Sequence, residues 1–342
     1  MPWRPFENDN IVVEYIIFGM HLTKAHIMKD QDQSKIVNRR KFLKTGSAFA
    51  AASMFLPLGT SKIYGAFKMG HLANSIPDAT LNNGVKMPML GFGTNTLRDE
   101  LGVKSVATAI SVGYRLIDTA HIYGNEESVG EGIKKSGIKR EALFVTSKLW
   151  VDDAGYESTK KAFETSINKL GMDYLDLYLI HRPRGDVKGS WQAMEDLYKE
   201  GKIKAIGISN FNPDQIKELM TYAKVKPAVN QIENHIFFQQ DAAHKFLKES
   251  NIQMEAWSPF AAGRNGIFTN KTIADIGKKY NKRNAHVCLR WLFQRGVVAI
   301  PRSSNKAHMI ENLDIFDFEL SEADMKTISK LDLNVTQFPE WE

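Results

Sequence analysis

What most limits the fold of this chain is a rhythm that begins near residue 81, in which a short apolar run is followed by an amphipathic stretch, eight times over. The apolar runs are MLGFGT, RLIDTA, LFVTSKL, LDLYLIH, IKAIGISN, AVNQIE, IQMEAWSP and VVAIPRS. Between them lie stretches such as YESTKKAFETSINKLG, SWQAMEDLYKEG and NPDQIKELMTYA. Their apolar residues recur three or four apart, and several close on glycine. Strands separated by helices pair in parallel through right-handed crossovers. Eight such units over roughly 250 residues predict a closed α/β architecture, the (β/α)8 TIM barrel. The Asn-Gly turn in LNNGVKMP predicts an N-terminal β-hairpin ahead of the first barrel strand. An open doubly wound sheet is the competing architecture. GFGTNT argues against it, because it lacks the third glycine of a dinucleotide-binding turn.

Charge narrows the function. The chain carries 45 Lys/Arg and 39 Asp/Glu in 342 residues, for a formal charge of +6. Ten of those bases and five of those acids fall in residues 1–70, which leaves 35 against 34 in the remainder. A nucleic-acid partner is excluded on this ground, since such binders carry a basic stripe on the folded domain. Cys288 is the single cysteine and sits in the apolar pattern AHVCLRWLF, so it reads as core. No metal site is expected, because the histidines show no ligand spacing such as His-Glu-x-x-His.

Residues 1–72 read as a leader and 73–342 as the barrel domain. Arg39 and Arg40 precede Phe42, Leu43 and Lys44 and then an apolar run from Thr45 to Leu58, an order that resembles a twin-arginine export signal. That run is shorter than the ~20 residues of a bilayer-crossing helix, so no permanent membrane span is expected. The expected destination is the periplasm, reached through the twin-arginine export machinery. A cytoplasmic enzyme with an unused leader is the alternative. Met28 opens a leader of ordinary shape, so translation is expected to start there and not at Met1.

Polar residues close nearly every apolar run: Thr94, Asp118, Lys148, His181, Ser209 with Asn210, Gln231, Ser258 and Arg302. Each alone has an ordinary explanation as a cap or a solvated strand end. In a barrel, however, the carboxyl ends of all eight strands converge on one site.

The blocks GFGTNT, RLIDTAHIYGNE, VTSKLW, LDLYLIH, GKIKAIGISNF, VNQIENH, EAWSPFAAG and IPRSSNKAHMIEN, in this order, resemble the aldo-keto reductase superfamily over nearly all of residues 80–332. The texture is nearest to the bacterial branch that includes 2,5-diketo-gluconate reductases. The resemblance implies a catalytic set of Asp118, Tyr123, Lys148 and His181. Reducing a carbonyl needs a hydride at carbon and a proton at oxygen, and free tyrosine, with a pKa of ~10, is a reluctant acid. A neighbouring cation favours the phenolate. Lys148 would supply that cation, Asp118 would hold it, and His181 would orient the carbonyl.

The hydride would come from a nicotinamide cofactor, NADPH by resemblance, with NADH possible in its place. Ser209, Asn210 and Gln231 would bind its carboxamide, and Trp257, where many relatives have tyrosine, would stack on the ring. Ser258 and Phe260 would line the pyrophosphate path, with Thr94 completing the set. Arg302, Ser303, His308 and Asn312 would surround the adenosine end, Arg302 and His308 at the 2′-phosphate. Histidine carries full charge only in acid, so the preference for NADPH should grow as pH falls. Trp150 and Arg182 would join His181 at the substrate. Arg182 stands where most relatives have tryptophan, and it is read either as a surface ion-pair residue or as an attractor of keto-acids and keto-sugar acids. The expected protein is a monomer that reduces a small aldehyde or ketone. The alternative is a nucleotide-binding barrel that acts as a redox sensor or binding module with little turnover.

Overall fold

The computed structural model describes residues 76–341, and the proposed leader and start site lie outside them. Strands β1 (Asp78–Thr80) and β2 (Lys86–Pro88) form the expected antiparallel hairpin. Gly84 takes φ +87° in its turn, a conformation that costs glycine little. Asn82 donates to the carbonyls of Pro227 and Asn251, and Asn83 to that of Lys204. Those residues stand just before barrel strands, so the hairpin covers the amino end of the barrel.

The barrel strands are β3 (Gly91–Gly93), β4 (Leu116–Asp118), β5 (Phe144–Leu149), β6 (Leu177–Ile180), β7 (Ile206–Ser209), β8 (Val229–Glu233), β9 (Gln253–Trp257) and β10 (Val298–Ala299). Each lies inside one of the eight predicted runs, and all neighbours from β3 to β10 pair in parallel. A parallel bridge between Leu90 and Ala299 closes the ring, with backbone bonds from Ala299 to Met89 and from Gly93 to Pro301. A β-carbon at Gly93 would lie 2.9 Å from the Ile300 carbonyl oxygen, so this closure requires glycine.

Outside the strands run α1 (Asp99–Val112), α2 (Glu126–Ser136), α3 (Tyr156–Leu170), α4 (Val187–Lys199), α5 (Pro213–Tyr222), α6 (Asp241–Glu249), α7 (Lys271–Lys279), α8 (Asn284–Gln294), α9 (Lys306–Leu313) and α10 (Glu322–Ser329). Local chemistry sets several ends. Asn212 and Gln215 form a capping box with Pro213 at the first turn of α5, and Gly171 ends α3 in the left-handed region. Cys288 is buried on α8, as expected, and burial pushes its thiol up to about 12. Among the described residues no helix is long and apolar enough to cross a membrane.

The two-residue period of a strand separates two apolar layers. One, including Phe163, Trp191 and Trp291, packs with the helices; the other joins the hairpin's Leu81 and Met87 to Leu116, Phe144, Leu179 and Val229 of the strands. The same period then places the polar groups. Asp118 follows Leu116 by two, Lys148 follows Phe144 by four, His181 follows Leu179 by two and Gln231 follows Val229 by two. Their side chains therefore share the interior face, one layer nearer the carboxyl ends.

Candidate active site

Lys148 is fully buried, a position that an ammonium tolerates only with full satisfaction of its charge and donors. Its Nζ donates to both Asp118 oxygens, at 2.7 and 2.8 Å, and to the Thr119 carbonyl at 2.8 Å. Burial lowers its proton affinity more than any other single influence, but the Asp118 charge and hydrogen bonds together with Tyr123 and Glu255 restore more than is lost, and the net displacement is upward. The ammonium lies 5.1 Å from the centre of the Tyr123 ring, which a short 3₁₀ turn after β4, His121–Tyr123, brings back over the strand end.

His181 follows β6 directly and meets Tyr123 edge to face at 5.9 Å between ring centres. Trp150 packs on its other side at 5.2 Å. Burial, then the charges of Lys148 and Arg182, hold the imidazole well below the usual histidine range, so it is neutral near pH 7. Its Nδ1 is buried without a hydrogen-bond partner among the described residues. Asp118, Tyr123, Lys148, His181, Trp150 and Arg182 thus come together.

One expectation needs correction. Lys148 does pull the Tyr123 pKa down, yet burial outweighs it and the Asp118 charge adds to the rise, so the phenol titrates above its ordinary value. The phenol therefore keeps its proton at neutral pH, and the cation beside it stabilises the form left after that proton departs.

Thr94 is buried and donates to the Asp118 carbonyl, tying β3 to β4. The Ser209 hydroxyl donates to the Gln231 carbonyl. Asn210, at φ +63°, donates to the His181 carbonyl and accepts a 2.8 Å bond from the Trp257 indole. The Gln231 amide nitrogen is committed to the barrel interior, at 2.9 Å from Asp118 and 2.9 Å from Glu255. Ser258, Ala261 and Ala262 after β9 take φ of +50°, +47° and +49°, and Phe260 in that loop packs on Phe268. Non-glycine residues in this region mark a loop held against local preference.

At the far side Ser303 is buried and Arg302 and His308 are exposed. Arg302 has no carboxylate partner among the described residues, and its proton affinity is lowered by desolvation alone. Asn312 is buried and faces the Tyr114 hydroxyl.

Two features were missed in the sequence. Glu255 is fully buried in β9, and an acid inside the apolar run IQMEAW was the available signal. The C-terminal segment carries the other: Phe338 and Trp341 pack on Trp257 at 5.1 and 5.5 Å, while Thr336 and Gln337 bond to Glu233 at the end of β8. Nothing periodic in that segment points to Trp257.

A sequence profile described as the aldo/keto reductase family matches residues 89–333. The chain belongs to that family. It is 51% identical over 253 residues to glyoxal reductase of Bacillus subtilis, covering 73% of this chain and 91% of that protein. It is 40% identical over 255 residues to methylglyoxal reductase of Escherichia coli, covering 74% and 92%. The crystal structure of a Bombyx mori aldo-keto reductase in complex with NADP superposes with a TM-score of 0.73 at 34% identity, covering 78% of this chain and 95% of that one.

Proposed function

We propose that this aldo-keto reductase reduces a small aldehyde or ketone to the alcohol with NADPH, and that Asp118, Tyr123, Lys148 and His181 carry the protein's share of the chemistry. The observation that supports this most is the buried Lys148 held by both Asp118 oxygens beside a protonated Tyr123. The bound cofactor supplies the hydride for the carbonyl carbon. Neutral His181 offers an N–H to the carbonyl oxygen and does not compete for its charge. Tyr123 gives its proton to that oxygen, and Lys148 balances the phenolate left behind. Relatives named for glyoxal and methylglyoxal make small reactive carbonyls the substrate class to try first. A carbonyl panel followed by loss of NADPH absorbance tests the reading; an inert panel would count against it.

The residues present suit the cofactor. Arg302 is a guanidinium without an acidic partner among the described residues, which is the chemistry a phosphate needs, and the left-handed turns at Asn210 and Ser258 flank Trp257. Ser209, Gln231, Phe260, Ser303 and Asn312 complete the set that we assign to the cofactor by resemblance. Arg302→Gln should weaken NADPH by about ten-fold or more and NADH little, as loss of one charge-assisted contact implies. Equal losses for both cofactors in titrations would contradict the assignment.

We also infer export by the twin-arginine route, supported by the order of Arg39, Arg40 and the apolar run that follows. This route carries folded proteins, so a barrel could leave with its cofactor bound. Host fractionation should find the barrel in the periplasm; an exclusively cytoplasmic protein would contradict export.

A further inference from the structure

Gln231 and Glu255 are register partners on β8 and β9, and both face the barrel interior beneath Lys148. The single amide nitrogen of Gln231 donates to Asp118 Oδ2 and to Glu255 Oε2. Because β4 and β8 lie four strands apart in a ring of eight, this bond spans the barrel. Glu255 is fully buried, and its Oε1 has no hydrogen-bond partner among the described residues.

The charged and titratable groups that face Glu255 are Asp118 from β4, Tyr123 from the turn after it and Lys148 from β5. Gln231 from β8 is neutral, and the β10 partner in register is Val298. Lys148 has already used its three donors, two on Asp118 and one on Thr119. A charged Glu255 would thus have one N–H for two oxygens, with a like charge across Gln231. A carboxyl so placed holds a proton.

We propose that Glu255 is a positioning residue of this site, which in its uncharged form anchors the Gln231 that steadies Asp118 and leaves Lys148 balanced by a single carboxylate beside Tyr123. The proposal rests on the reading of Tyr123 as proton donor. Burial, and then the Asp118 charge, push the Glu255 pKa up to about 8. Below that value Glu255 is neutral. Above it, a second negative charge raises the proton affinity of Tyr123 and makes it a poorer acid. Reduction should therefore decline several-fold as pH rises from about 7 to about 9.

The test uses the full-length protein and Glu255→Gln. An infrared difference spectrum between the two at pH 7 should show the carbonyl stretch of a protonated carboxylic acid in the parent, and that band should fade as pH rises through about 8. The alkaline decline of kcat should be absent or moved at least one pH unit upward in Glu255→Gln. If that variant does not fold, Gln231→Leu serves, since loss of the amide donor should move the decline to higher pH. No acid band at pH 7, or a decline identical in parent and variant, would overturn the proposal. Full activity in Tyr123→Phe would instead overturn the donor reading, and the infrared result would still decide the state of Glu255.

Discussion

Replacing Tyr123 with phenylalanine should leave NADPH affinity nearly unchanged and lower carbonyl reduction by at least ~10²-fold, about 2.7 kcal/mol of transition-state stabilisation. The expectation follows from position and charge together. Tyr123 is brought over the end of β4 beside Lys148, while Asp118, Lys148 and the neutral His181 transfer no proton to a substrate oxygen: Lys148 spends all three donors, and His181 lends its N–H as a hydrogen bond without giving the proton up. The substitution removes one oxygen and leaves the ring that contacts His181 in place. The effect should therefore appear in kcat and leave cofactor binding alone. Turnover within a few-fold of the parent, measured with saturating NADPH, would place the proton donor elsewhere.

Lys148→Met should cost more, because it acts on stability as well as turnover. Removing one member of a buried ion pair typically costs ~3–5 kcal/mol. Here the loss leaves Asp118 beneath Tyr123 and near Glu255 with only the Gln231 amide to satisfy it. At roughly 2–4 °C per kcal/mol for a domain of this size, the melting temperature should fall by about 10 °C. Reduction should drop by at least ~10²-fold even where the variant is folded, since nothing then balances a departing Tyr123 proton. A melting temperature within about 2 °C of the parent would show that Asp118 is satisfied without Lys148.

The sequence was legible where periodicity or motif order carried information. All eight strands and the hairpin lay in the predicted runs, and the polar residues that close those runs, Asp118, Lys148, His181 and Gln231 among them, were expected to converge at the carboxyl ends of the strands. Two kinds of feature were not legible. The proton affinity of Tyr123 depends on how deeply its phenol is buried, a property of the assembled ring and not of RLIDTAHIYG. The link from Asp118 through Gln231 to Glu255 joins opposite sides of the barrel, so no local pattern encodes it. Gln231 was assigned by resemblance to a cofactor contact, and its amide nitrogen proves to be spent on two carboxyl groups. Phe338 and Trp341 meet Trp257 in a segment that Glu233 holds at Thr336 and Gln337 and Arg264 holds at Gln337 and Glu340, contacts between residues far apart in the chain.

The reaction proposed for this site moves a hydride and a proton onto a carbonyl. Its most direct test is single-turnover reduction of glyoxal or methylglyoxal by the full-length protein with NADPH deuterated at the transferred position, read by mass spectrometry of the product. One deuterium is expected on the new carbinol carbon for each NADPH consumed, with almost no labelled alcohol formed by Tyr123→Phe over the same time. Tight NADPH binding with no labelled alcohol from any carbonyl tried would contradict it, and would mark the barrel as a nucleotide-binding module.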